Sequence, residues 1–249
     1  MTAALPRVLI TGASGRVGRL LTKAWRGCYD LSLTDIRPRP EQDTLRFVQA
    51  DAADFQRMAP LCQGIQTVVH LAGVPSPLAA WSELRHHNLH SLRTVLRAAR
   101  DAGCRRVVYA SSVTVDVQPD TDYARSKRLG ERIAERYAAA NGLSVVCVRL
   151  GRVTAARATA LWPTAYYLPY VVIEADMIRG FTCCVDQALP AFSVVTMVSK
   201  NRRTHLDVSE SQRLLGYQPT LDAFALADWR YHTIWGRLKR AKLWMQRHL

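Results

Sequence analysis

The chain has 249 residues, 49% of them hydrophobic, with 13 Gly and 11 Pro. That is enough apolar material for a full core, and it excludes a disordered or collagen-like class. The formal charge of +14 favours anionic partners and leaves the fold open. No apolar run approaches the length of a bilayer span. The opening "MTAALPRVLITGASG" enters a strand pattern at once and shows none of the regions of a secretory signal. Six cysteines without C-x-x-C spacing suit free thiols in a reducing compartment, so a cytoplasmic location is expected.

In chain order, the first strand pattern is "RVLIT" (7–11), followed by "GASGRVGRLL". Gly12, Gly15 and Gly18 fall directly after the strand and into the first helix. Glycines there permit a tight turn, close approach of backbone to a pyrophosphate, and close packing of helix on strand. The loop Gly12, Ser14, Gly15, Arg16, Val17, Gly18 is therefore a dinucleotide-phosphate candidate, in the strand–turn–helix context the motif requires. The run "DLSLTD" (30–35) ends in Asp35, about 20 residues on, where a carboxylate accepts hydrogen bonds from adenosine ribose hydroxyls. It repels a 2′-phosphate, which favours NAD over NADP; Arg37 and Arg39 just beyond weaken that preference. A Pro-containing loop leads to "LRFVQAD" (45–51). Asp51 either bonds the adenine amino group, with Ala52 beside it, or N-caps the following helical segment.

"TVVHLAG" (67–73) brings Leu71, Ala72 and Gly73 to the cofactor through their backbone, while His70 reads as a hydrogen-bonded core histidine. His86, His87 and His90 crowd the next helix with no carboxylate or cysteine ligand set, and no metal is expected. "RVVYASS" (106–112) places Ser111 and Ser112 at the carboxyl end of the fifth strand. Gly103 and Gly142 follow helical patterns and suit left-handed caps. "YARSKRLGERIAERYAAANG" opens with Tyr123 and Lys127 four apart, a spacing that puts both on one helix face. Taken alone the pair could be ordinary packing or a tuned phenol; Asp122 just before it reads as an N-cap. "LSVVCVRL" (143–150) closes the alternation.

Continuous apolar strands interleaved with helices mean an α/β doubly wound parallel sheet, a Rossmann fold, over residues 1–150. Residues 151–228 read as a smaller substrate-side region on the sheet's carboxyl edge, with a helix in "ADMIRGFTCCVDQAL" and a strand in "AFSVVTMV". Residues 229–249 form a basic amphipathic pattern. Docking on the chain's own domain or on a second subunit is the favoured role for it, so a homo-oligomer is expected. Peripheral contact with anionic membrane is the alternative, and nucleic acid ranks third because no binding module accompanies the charge.

The ordered set of glycine loop, acidic strand end, strand-end serine and Tyr-x-x-x-Lys resembles the extended short-chain dehydrogenase/reductase family, its epimerase/dehydratase branch. "TGASGRVG", "HLAG", "NLHSLRTVLRAARDAGCRRVVYASS", "YARSK", "VRLGRV" and "ESQRLLGYQP" all read like that branch, and "DMIRGFTCC" with "VVTMVSKN" look most like its uronate dehydrogenases. The resemblance implies an NAD-dependent oxidoreductase of a sugar-like secondary alcohol. It implies Tyr123 as general base, Lys127 as the charge that favours its phenolate, and Ser112 as the partner of the reacting oxygen. The substrate half departs from the pattern. Only ten residues separate Ser112 from Tyr123, Val113 and Thr114 replace an Asn-His pair, and Arg152 stands where those enzymes place a serine. Thr114, Arg152 and Arg157 are the substrate-side candidates. The same set also serves epimerases and dehydratases that retain NAD, and an inactive dinucleotide-binding sensor is the non-enzymatic alternative.

Overall fold

The structure, a computed structural model, describes residues 4–38, 44–156 and 167–227. Arg39, Arg157 and the basic C-terminal pattern at 229–249 lie outside the described residues. The β-branched runs become β1 (Arg7–Thr11), β2 (Asp30–Asp35), β3 (Arg46–Gln49), β4 (Thr67–His70), β5 (Arg106–Ser112) and β6 (Ser144–Leu150). Beyond them come β7 (Arg152–Thr154), β8 (Val171–Ile173) and β9 (Phe192–Met197). Seven strands form one parallel sheet in the order β3-β2-β1-β4-β5-β6-β9, and β7 pairs with β8 beside it. The order reverses between β1 and β4, the switch point where doubly wound sheets open a crevice beyond their carboxyl ends.

Successive strand residues face opposite sides, and the core divides accordingly. Val8 and Ile10 of β1 pack with Leu21 and Trp25 of α1 (Arg16–Trp25), while Leu9 between them packs on the other face. That second face is covered by α2 (Phe55–Cys62), by the helix that runs from Trp81 to Asp101, and by Ala134 and Ala138 further along the chain. The long helix consists of α3 (Trp81–Leu84), a π-helical stretch (Arg85–His90) and α4 (Ser91–Asp101). A short α5 (Thr114–Val117) precedes α6 (Asp122–Asn141), and α7 (Glu174–Asp186) and α8 (Ser209–Leu215) complete the described helices. Gly103 and Gly142 both take positive φ, as their positions after helices suggested.

Three boundaries differ from the sequence reading. Thr121, not Asp122, caps α6, its hydroxyl accepting from the Ala124 N–H at 3.2 Å. Asp54, not Asp51, caps α2, its carboxylate accepting from the N–H groups of Gln56 and Arg57. In each case a neighbouring cap-competent side chain takes the role, which for Asp51 removes one of the two roles left open. The sheet also runs past residue 150, because β9 pairs with β6. α7 packs with Met177, Phe181 and Cys184 in the core that Trp25 and Leu21 share. Arg106, buried at the start of β5, ties α7 down by donating to the carbonyls of Cys184, Val185 and Gln187 at its C-terminal end. All six cysteines are free thiols, with Cys184 buried on α7, Cys183 half-buried beside it, and Cys28 exposed. Among the described residues no helix is long and apolar enough to cross a membrane.

Candidate active site

A cleft of about 510 Å³ lies across the carboxyl ends of β1, β2, β4 and β5. Its floor begins at the glycine loop. Gly12 has φ of +70°, and a Cβ there would sit 2.7 Å from the Ala72 nitrogen; one on Gly18 would sit 2.5 Å from the Gly12 carbonyl oxygen. No other residue fits either position without moving backbone. Gly15 precedes α1, and no side chain caps the helix. The first-turn N–H groups therefore border the cleft with their hydrogen-bonding capacity and the partial positive charge of the helix end in hand. Gly12, Gly15, Arg16, Val17 and Gly18 all line it.

Asp35 is buried at the end of β2 and lines the same cleft. One carboxylate oxygen accepts from the Ser14 N–H at 2.9 Å, and the other from the Arg37 N–H at 2.9 Å and its Nε at 3.3 Å. Ser14 thus acts through its backbone, on the acid rather than on the cleft. Asp51, Ala52, Leu71, Ala72 and Gly73 line the cleft further along. His70 is the core histidine the sequence suggested: its Nδ1 lies 2.8 Å from the Thr11 Oγ1, and burial pushes its pKa down to about 3, so it is neutral. These features fit a dinucleotide: an uncapped helix end for phosphates, a glycine turn packed too tightly against its own backbone to carry side chains, and a buried acid for the ribose.

At the far end stand Tyr123 and Lys127, both buried, both lining the cleft. The Lys127 Nζ donates to the Ala110 carbonyl at 2.7 Å and lies 5.8 Å from the centre of the Tyr123 ring. Burial pushes the Tyr123 phenol above its ordinary range, and a hydrogen bond with Ser112 pulls it back. Burial also lowers the Lys127 ammonium to about 8, against the attraction of Glu131. Lys127 therefore keeps its charge at neutral pH, with little margin.

The strand alternation separates the two serines. Ser112 turns to Tyr123 and also accepts from the N–H and the hydroxyl of Thr114, at 3.2 and 2.9 Å. Ser111 donates to Glu131 at 2.6 Å, and Arg149 holds the same carboxylate with bonds of 3.0 and 2.8 Å. Arg152 is exposed on β7, its guanidinium 5.6 Å from the centre of the Tyr167 ring, away from the cleft lining.

Two supporting residues escaped the sequence reading. Asn88 accepts from the Val74 N–H at 2.8 Å and donates to the Val74 carbonyl and to Ser126, whose hydroxyl donates to the Tyr123 carbonyl. It fastens the cleft loop to the helix that carries Tyr123. Glu131 sits one turn beyond Lys127, and only its i+4 spacing hinted at the contact. The fold also brings Asp51 to the histidines: its Oδ2 is 3.3 Å from the His86 Nε2, so the expectation of no carboxylate near them is corrected.

A family model described as the NAD dependent epimerase/dehydratase family matches residues 8–167. The NAD-dependent glucose-6-phosphate dehydrogenase of Haloferax volcanii is 28% identical over 251 aligned positions, which cover 85% of this chain and 92% of the relative. A uronate dehydrogenase of Pseudomonas putida is 30% identical over 170 positions, 60% of this chain and 62% of its own. Among solved structures, a mutant uronate dehydrogenase from Agrobacterium tumefaciens complexed with NAD superposes with a TM-score of 0.79 at 27% identity, over 89% of this chain and 87% of that one.

Proposed function

The chain belongs to the NAD dependent epimerase/dehydratase family, and from that membership we propose that it is an NAD-dependent oxidoreductase of a small polar or anionic sugar. The convergence of Tyr123, Lys127 and Ser112 at one end of a cleft whose other end is the glycine loop supports this reading most directly. NAD, when bound, supplies the acceptor for the hydride. The chain's own residues handle the proton. As phenolate, Tyr123 takes the proton of the substrate hydroxyl; the carbon gives up its hydrogen with two electrons, and a carbonyl forms. Ser112 holds the reacting oxygen, itself ordered by Thr114. The Lys127 ammonium favours the phenolate and can also hold a ribose hydroxyl of the cofactor.

Relatives named for glucose 6-phosphate, L-arabinose and uronate suggest the anomeric hydroxyl of an aldose or uronate as the site of oxidation, with a lactone as product. The test is a panel of hexuronates, pentoses, hexoses and hexose phosphates with NAD, followed by NADH absorbance. Net NADH with at least one sugar is expected. Conversion of a sugar without net NADH would place the chain with the NAD-retaining epimerases, and binding of NADH without any turnover would contradict the enzyme reading.

A further inference from the structure

The cofactor cleft carries a cluster of side chains that hydride transfer does not use. Asp51, His86 and His87 each offer one ligating atom, and these atoms all lie within 4.8 Å of one another. The Asp51 Oδ2 and the His86 Nε2 are 3.3 Å apart. Two ligands each about 2.0–2.1 Å from a tetrahedral zinc ion stand roughly 3.4 Å apart, so this pair already has the spacing of two metal ligands.

Local structure explains why adjacent histidines can converge. Consecutive residues of an α-helix point about 100° apart, but His86 and His87 lie in the π-helical stretch Arg85–His90. Its wider turn reduces that angle, and the two rings meet with centroids 4.7 Å apart. Single π turns inside α-helices occur frequently at functional sites. Asp51 is also pre-aimed. Its Oδ1 accepts from the Ala53 N–H at 2.8 Å, which leaves Oδ2 toward the imidazoles, in the manner of an outer-shell contact that orients a metal ligand. The Asp51 and His86 side chains are 38% and 52% exposed, open to a hydrated ion.

We propose that Asp51, His86 and His87 bind a divalent transition-metal ion of the zinc type, and that metal and dinucleotide exclude each other because both take Asp51. Two imidazoles and one carboxylate suit zinc, nickel or copper rather than magnesium or calcium, and three protein ligands leave a position for water. Asp51 and His87 line the cleft, so a metal between them occupies space at the end away from Tyr123. The exclusion, unlike the metal site, rests on the reading of Asp51 as an adenine contact.

The test uses full-length protein stripped with EDTA. Zinc is titrated by calorimetry into wild type, His86→Gln and His87→Gln, and cobalt is added for its visible spectrum. One zinc per chain is expected, bound roughly tenfold or more weakly by each variant, with a cobalt spectrum free of thiolate charge transfer. Equal zinc affinity in wild type and both variants would overturn the site. So would a thiolate band, which would place the metal on a cysteine such as exposed Cys28. NADH is then titrated by fluorescence with and without zinc. The apparent Kd is expected to rise with zinc in wild type and not in His86→Gln. An unchanged Kd in zinc-loaded wild type would refute the exclusion.

Discussion

Replacing Lys127 by methionine should stabilise the protein at neutral pH while abolishing its activity. Burial lowers the ammonium from an ordinary 10.5 to about 8, although Glu131 opposes the fall. At about 1.4 kcal/mol per tenfold in proton affinity, holding that charge in the folded state costs roughly 3 kcal/mol. The folded value lies below the unfolded one, so between pH 8 and 10.5 the unfolded chain binds a proton that the folded chain has released. Stability therefore rises with pH through that window, and below pH 8 the penalty is complete. Methionine has similar length and no charge. It forfeits the bond from Nζ to the Ala110 carbonyl, worth about 1 kcal/mol, which leaves a net gain of roughly 2 kcal/mol at pH 7. Urea denaturation of both proteins without cofactor, at intervals from pH 7 to 10, measures the difference. It should shrink by about 1.4 kcal/mol per pH unit above pH 8 and change sign at about pH 9.5. A variant less stable than wild type at pH 7, or a difference that ignores pH, would show that burial does not penalise the Lys127 charge.

Asp35→Ser removes the buried carboxylate that would repel a 2′-phosphate and leaves Arg37 beside the vacated position. The preference for NADH over NADPH, measured by fluorescence titration, should fall about tenfold or more, about 1.4 kcal/mol. Ser112→Ala removes the bond that pulls the Tyr123 phenol down against burial. Sugar oxidation needs the phenolate, so its rate rises with pH, and in this variant that rising limb should move to more alkaline pH in a kcat/KM profile. Arg106→Met deletes the bonds to three carbonyls at the end of α7. It should cost about 2–3 kcal/mol in urea melts and leave NADH affinity unchanged, since Arg106 starts β5 at the edge opposite the cleft.

The sheet was legible because parallel strands buried on both faces are written as continuous β-branched runs; β1, β2 and β5 match theirs end to end. The glycine loop, Asp35, Ser112, Tyr123 and Lys127 were legible for a related reason. Each sits at a strand end or within the first two turns of a helix, so local order alone fixes its neighbourhood. What stayed hidden lies between elements. Asn88 meets Val74, Glu131 meets Arg149, and Asp51 meets His86 across separations of 14, 18 and 35 residues that no periodicity encodes. The π-helical stretch at Arg85–His90 reads as ordinary helix, because its residues carry no breaker. β7 and β8 are three residues each, too short for a period of two to register.

Oxidation depends on Tyr123 removing the substrate proton beside a bound nicotinamide. Tyr123→Phe keeps the ring and its packing and deletes only the phenol oxygen, so NADH titration and sugar-dependent NADH formation on this one variant separate proton removal from cofactor binding. NADH should bind as in wild type while the rate falls by about 10²-fold or more. Turnover equal to wild type would contradict the assignment.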